Sequence, residues 1–304
     1  MKIATTTGDF ARYYSADIDR LRALHAAGFR YVDLNMYSFK TRSVYMGTEW
    51  REAALALKNE AEKLGMTFVQ AHSQGGNPLS EDENAADFIV AATLRSLEIC
   101  EILGIPHTVS HPGILGTPDK EAWFEKNRAY YQKLFPMMEK TGVNVLTENS
   151  CAANMGISYF ANTGKDMVEF LSFVGHPQLH ACWDTGHANC EGAQYDEILA
   201  LGGELRAIHY HDNRGEKDEH LLPFFGTLNH DEIINALIDV GFQGYFTLEA
   251  DSPVKPRRHW IGDRRSFRGE GRLSDPPLFM QERLEALSYE TAKYMLSSYG
   301  LFEE

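Results

Sequence analysis

The chain is poor in cysteine. Four occur in 304 residues (Cys100, Cys151, Cys182 and Cys190), with no C-x-x-C pair among them. That argues against a disulfide framework or a thiolate zinc module. Two of the four sit in apolar runs, which reads as reduced thiols in a reducing compartment. Long hydrophobic runs are missing too. None approaches the roughly 20 residues needed to span a bilayer, and Met1–Gly8 reads as a short strand rather than a signal peptide. The expectation is a cytoplasmic protein with no membrane partner. Positive charge is also scarce: 29 Lys and Arg stand against 43 Asp and Glu, a formal net charge of −14. A nucleic-acid partner is not expected, since a polyanion is drawn to basic surface. No linker-like or low-complexity segment divides the chain. It reads as one domain over 1–304, with a barrel over about 1–250 and a loop and closing helix over 251–304.

What is present is a regular alternation of strand and helix. The spacing predicts strands at Lys2–Thr5, Tyr31–Met36, Thr67–His72, His107–His111, Val143–Thr147, Leu179–Trp183, Ala207–Tyr210 and Tyr245–Leu248. It predicts helices at Ala16–Ala27, Glu49–Leu64, Ala85–Leu103, Lys120–Lys140, Lys165–Val174, Tyr195–Leu201, Asp231–Val240 and Met280–Ser298. Most of these helices end at a glycine, a helix-stop signal. Eight strand–helix units suit a closed (β/α)8 TIM barrel of the α/β class better than an open doubly wound sheet. Two connections are long: Ser38–Thr48 after the second strand and Ala250–Pro277 after the eighth.

Metal-type side chains fall at the ends of these strands. His72, His111, Glu148, Asp184, His209 with His211, and Glu249 each close or follow an apolar run, and His187 lies three residues after Asp184. One such residue at one strand end is most simply a helix cap or a structural histidine. Six ends in a row point to a shared centre, at the mouth where barrel active sites sit. Glu148, Asp184, His209 and Glu249 lie on strands five to eight and can converge on one ion. Carboxylate oxygens with imidazole nitrogens suit a divalent metal, Mn foremost, with Co, Mg or Zn as alternatives. Such an ion would hold neighbouring oxygens of a hydroxy-carbonyl substrate and stabilise the enediolate left by proton removal. Glu148 and Glu249 flank the site and can serve as catalytic bases. Residues 209 and 211 share a strand face. Asp218-Glu-His220 follows in a loop able to fold back over the mouth, whereas His107, lower on its strand, reads as structural.

The motifs His72-Ser, Ser110-His111-Pro-Gly, Glu148-Asn-Ser, Trp183-Asp184-Thr-Gly-His187, Ile208-His209-Tyr-His211-Asp212 and Leu248-Glu249 together resemble the xylose-isomerase-like TIM-barrel superfamily over about residues 1–250. The resemblance implies a sugar or sugar-phosphate isomerase or epimerase acting on a small sugar or polyol. Glu148, Asp184, His209 and Glu249 would be the ligands of one Mn or Co ion, the two glutamates the acid–base pair, and His187 a substrate contact. His209 rather than His211 is taken as the ligand, because the family places an acid three residues later, here Asp212. His211, His72, His111 and Arg214 complete the expected substrate-binding set. The chain departs from ketose 3-epimerases in carrying Gly215, with Arg214 one residue earlier, where they carry a substrate-binding arginine. Endonuclease IV is the rival within the same superfamily. Counterparts of His72, His111, Glu148, Asp184, His187, His209, Asp218, His220 and Glu249 build its three-zinc cluster, and all nine are present in order. Against it stand the acidity of the chain and the Ser-Gln-Gly-Gly-Asn-Pro loop after His72, which lacks bulky wedge residues. A lyase or dehydratase of inositol or C-glycoside type is a third reading. One ion or three is left open.

Lys255–Arg272 is a basic island, with seven Lys and Arg against Asp263 and Glu270. It reads as a lid binding an anion or as a subunit contact, with the interleaved Trp260 and Phe267 tipping the balance to the contact. The protein is therefore expected as a homo-oligomer, a dimer or tetramer. Tyr37, Phe39, Trp183, Phe224 and Phe225 are aromatic candidates for the rim, with core or rim packing the simpler role for each.

Overall fold

The computed structural model describes residues 1–39, 43–250 and 276–304. Eight parallel strands alternate with helices: β1 Ile3–Thr6, β2 Tyr31–Asn35, β3 Thr67–His72, β4 His107–Val109, β5 Asn144–Glu148, β6 Leu179–Asp184, β7 Leu205–His209 and β8 Phe246–Leu248. Each pairs with its sequence neighbour, and β1 pairs with β8. β7 meets β8 at the Tyr210–Leu248 bridge. There Tyr210 N donates to Thr247 O (2.8 Å) and Glu249 N to Tyr210 O (3.1 Å), which closes the barrel. The fold is the expected (β/α)8 barrel with a C-terminal helix. Closure leaves no bare strand edge.

The helices are α1 Asp17–Ala27, α2 Trp50–Leu64, α3 Glu83–Leu103, α4 Lys120–Gln132, α5 Phe135–Thr141, α6 Ala152–Met155, α7 Gly164–Val174, α8 Thr185–Asn189, α9 Tyr195–Leu201, α10 His230–Asp239 and α11 Leu278–Ser298. The single helix expected over Lys120–Lys140 is two. Pro136 is the cause: it lacks an N–H, and its ring would clash with the carbonyl of Gln132 in a continuous helix. It sits instead in the first turn of α5, where a missing donor costs nothing. The expected fourth strand is shorter at its far end, because the chain leaves the ladder at Ser110 and Pro112 follows His111. The short helices α6 and α8 carry no run long enough to show periodicity, and both lie at the mouth.

Inside the barrel, residues two apart on a strand stack in layers. Val109, Leu146, Cys182 and Ala207, from β4 to β7, form a small buried apolar cluster. Glu148, Asp184 and His209 follow three of them by two residues and so occupy the next layer up. The other side of the barrel is polar: Gln70 donates to Asp33 Oδ2 (3.0 Å) and accepts from Thr247 Oγ1 (3.1 Å). The main core lies between the sheet and the helices, with Trp123, Tyr131, Phe170 and Leu97 fully buried.

Candidate metal centre at the barrel mouth

Strand geometry delivers the acidic cluster. Glu148, Asp184 and His209 are the last residues of adjacent strands β5, β6 and β7, and Glu249 follows β8 directly. Each offers one ligand atom, and the four atoms lie within 4.8 Å of one another. His209 Nδ1 is 2.9 Å from Glu148 Oε1 and 3.3 Å from Glu249 Oε2. The centre is buried: Glu148, Asp184 and His209 are almost fully enclosed, while the Glu249 side chain retains 17% exposure toward the mouth.

The other residues singled out in the sequence arrive at the same place, with one exception. His72 Nε2 is 3.1 Å from His111 Nε2, and both face Glu148 Oε2, at 3.6 and 3.3 Å. His211 Nε2 is 3.0 Å from Asp184 Oδ2. The loop after β7 does fold back, as expected. Asp218 Oδ2 accepts from His187 Nε2 (3.2 Å) and His220 Nε2 (3.1 Å), and Asp218 Oδ1 is 3.5 Å from His211 Nε2. The His220 ring lies flat on His211, centroids 4.0 Å apart. Arg214 stays outside: its side chain is 61% exposed and pairs with Glu219. His107 is structural, its Nδ1 accepting from Asn144 Nδ2 (3.2 Å). The basic island Lys255–Arg272 lies outside the described residues.

Local sequence explains these positions. Asp184 ends β6 and caps α8, accepting from His187 N at 2.6 Å, so the D-x-x-H spacing is one helical turn. Asn149 ties β5 to β6, donating to Asp184 O (2.9 Å) and accepting from Asp184 N (2.6 Å). Gly186 is required by close approach: a Cβ there would stand 1.9 Å from His211 Cε1. Sequence reasoning missed Asp33, buried in the middle of β2, with Oδ2 3.9 Å from His209 Nε2. The signal was available, since an acid inside a short apolar strand is costly without a partner. Tyr37, exposed at the rim, sets its ring edge-on to His72 at 5.0 Å. Trp183 is core, donating to Gln194 Oε1 (3.0 Å), and Phe39 is buried against Tyr45. Phe224 and Phe225 are exposed on the Pro223–Gly226 turn.

Charge is divided unequally. Burial would raise the Glu148 carboxyl, but the surrounding His209, His111 and His72 hold it well below the usual carboxylate range. Glu249 goes the other way: burial, with the Glu148 charge adding to it, raises its carboxyl against the pull of His209 and His220. Burial lowers His111 to about 4. Burial opposes charge on His187, yet Asp184 and Asp218 raise it to about 10. These residues fit a divalent cation. Glu148, Asp184 and Glu249 gather three acids at one point, and Glu148 Oε2 and Asp218 Oδ1 are buried with no hydrogen-bond partner. A bound cation would offset both costs.

An acid- and histidine-lined mouth on a (β/α)8 barrel defines the class: a TIM-barrel protein with a candidate metal centre at the C-terminal face. The chain belongs to the xylose isomerase-like TIM barrel family, whose model matches residues 21–269. An uncharacterized protein of Methanocaldococcus jannaschii is 26% identical over 185 residues, 57% of this chain and 60% of that one. A probable endonuclease 4 of Methanoculleus marisnigri is 26% identical over 153 residues, 46% of this chain and 53% of its own. Fructoselysine 3-epimerase of Escherichia coli O157:H7 is 27% identical over 146 residues, 47% and 50%. The chain thus spans about half to three-fifths of these relatives' length. Among solved structures, D-psicose 3-epimerase of Clostridium cellulolyticum H10 superposes with a TM-score of 0.73 at 19% identity, covering 97% of this chain and 99% of that one, which is a likeness of fold.

Proposed function

We propose that the protein is a metal-dependent sugar or sugar-phosphate isomerase or epimerase, acting by proton transfer beside a carbonyl through an enediolate. The observation that carries the reading is the four-residue cluster: Glu148, Asp184, His209 and Glu249 bring four ligand atoms within 4.8 Å at four successive strand ends. They would hold one divalent ion, Mn foremost, whose contribution is Lewis-acid stabilisation of negative charge developing on substrate oxygen. Glu249 opens to the mouth and its carboxyl is raised, so it suits the exchange of a proton with a substrate carbon. Glu148, held anionic, is its counterpart across the site. His187 and His211 sit beside Asp184 at the mouth, placed to orient substrate oxygens, and Tyr37 presents ring surface above His72. The fructoselysine 3-epimerase relative and the sugar 3-epimerase folds support a small sugar as the partner. A net charge of −14 speaks against nucleic acid.

A second reading has its own observation. His72 and His111 face Glu148 on one side of the centre, and His187, Asp218 and His220 meet on the other. All nine residues of a three-metal phosphodiesterase cluster therefore converge, and one relative is named a probable endonuclease 4.

Metal analysis of the purified protein, a screen of ketoses and their phosphates in deuterated water, and an abasic duplex assay with zinc separate the readings. The first expects one ion per chain, exchange of a carbon-bound proton, and no incision. Glu148→Gln and Glu249→Gln should each reduce turnover by roughly 10²–10⁴-fold. Three ions per chain with incision that His111→Ala removes would replace the first reading by the second. A fully active Glu249→Gln enzyme would overturn the proposed acid–base pair.

A further inference from the structure

Asp33 is an acid in the middle of β2, buried inside the barrel rather than at its mouth. Its register partner on β3 is Gln70, also buried. Gln70 Nε2 donates to Asp33 Oδ2 (3.0 Å), and Gln70 Oε1 accepts from Thr247 Oγ1 of β8 (3.1 Å). The same Oδ2 stands 3.9 Å from His209 Nε2. Asp33 Oδ1 is buried with no hydrogen-bond partner among the described residues. A side chain that merely filled the polar interior would not leave that oxygen bare, because an unpaired buried acceptor costs stability. Three other histidines of the mouth show what holds such a ring. His72 Nδ1 meets Ser73 O (3.0 Å), His187 Nδ1 meets Asn149 O (3.0 Å) and His220 Nδ1 meets Glu249 O (2.9 Å). In each, the second nitrogen faces an acid. His209 turns Nδ1 to Glu148 and Glu249, and the group facing its far nitrogen is the Asp33 carboxylate.

We propose that Asp33 is a positioning residue of the metal centre: its carboxylate faces the Nε2–H of His209 and holds the ring with Nδ1 turned to the ion. The inference rests on the reading of Glu148, Asp184, His209 and Glu249 as the ligands. A ring that ligates through one nitrogen keeps its proton on the other. A carboxylate beside that proton fixes the tautomer and the ring orientation and raises the basicity of the ligand. At 3.9 Å the contact is longer than a hydrogen bond and acts as charge attraction, which a buried setting strengthens. The His72 ring lies 5.6 Å from that of His209 and nearly parallel to it, at 19°. Stacking of this kind restrains the plane of the ring without choosing between its two nitrogens; Asp33 makes that choice. Gln70, itself held by Thr247, keeps the carboxylate from swinging away. Asp33 is outside the ligand set and acts only through His209.

The test is Asp33→Asn in the full chain, which keeps the size of the side chain and its acceptor for Gln70 while removing the charge. Mn²⁺ binding, measured by titration calorimetry, should weaken roughly 10–100-fold. With Co²⁺ at saturation, the visible absorption bands of the variant should differ from those of the parent. The chelator-treated variant should melt no lower than the parent, since a buried charge with one bare oxygen has been removed. A purely structural role predicts the reverse, a lower melting temperature without ion and unchanged affinity and Co²⁺ bands, and that result would overturn the proposal. If Asp33→Asn does not fold, Gln70→Leu decides. It leaves Asp33 in place but unheld and should weaken Mn²⁺ binding in the same direction; unchanged affinity there also overturns the proposal. A parent chain that binds no Mn²⁺ overturns the reading of the centre and this proposal with it. A parent that binds, beside an Asp33→Asn variant of equal affinity, overturns this proposal alone.

Discussion

Glu148 and Glu249 are the same side chain in two surroundings. Three histidines press one toward its charged form; burial beside a neighbouring acid pulls the other toward neutrality. Such divergence is how a site assigns different tasks to like groups. A histidine away from the mouth gives a cleaner test of residue electrostatics. Burial first, then Arg206 and His180, lower His107 to about 4 from an ordinary 6.5, and Asn144 donates to its Nδ1. Between those values the unfolded chain binds a proton that the folded chain refuses. His107 therefore contributes stability above pH 6.5 that is lost as pH falls toward 4. In urea unfolding between pH 7 and 5, His107→Gln should show a shallower decline than the parent, by on the order of 1 kcal/mol. An unchanged slope would mean that His107 is not held neutral. Asp33 shows what escapes at this scale: its neighbours Val32 and Leu34 mark a strand, but only the barrel closing on itself puts His209 beside it.

At the scale of elements, β5 to β8 place the centre and the loops beyond them refine it. Helix ends were readable, because Gly28, Gly65, Gly104, Gly142 and Gly175 close α1, α2, α3, α5 and α7. Short α6 and α8 were not, since they have too few residues for a period and form on contacts between loops. Where helices meet, the limits are steric. A Cβ on Gly164 at the start of α7 would lie 1.9 Å from the Glu197 carbonyl oxygen of α9. Backbone cannot yield as a flexible side chain can. Gly164→Ala should cost about 1–3 kcal/mol, seen as a lowered melting temperature, with kcat unchanged because both helices pack on the outside of the barrel. A variant that melts as the parent does would show that the two helices separate freely.

On the scale of the whole molecule, acidity and the barrel mouth interact. Buried carboxylates contributed by β5, β6 and the end of β8 repel one another unless protons or cations sit among them. A cation bound only by the folded barrel should stabilise it. At about one hundred times Kd the gain is about 2.7 kcal/mol, or roughly 5 °C in melting temperature for a chain of this size. Scanning calorimetry with Mn²⁺ should show a saturable rise, reversed by a chelator and absent in Glu148→Gln. A rise of the same size in that variant would place the ion elsewhere. Among the described residues no helix is long and apolar enough to cross a membrane.

The sequence alone determined the strand–helix alternation, the count of eight and the ligand-type residues at strand ends. These are local facts, written in periodicity, glycine stops and the residue that follows each apolar run. Only the tertiary structure decided which nitrogen meets which oxygen. Barrel closure set His209 between Glu148 and Glu249, folded Asp218 onto His187 and His220, and left Arg214 outside with Glu219. Contacts between residues far apart in the chain depend on strand tilt, register and loop path. No window of sequence contains those quantities.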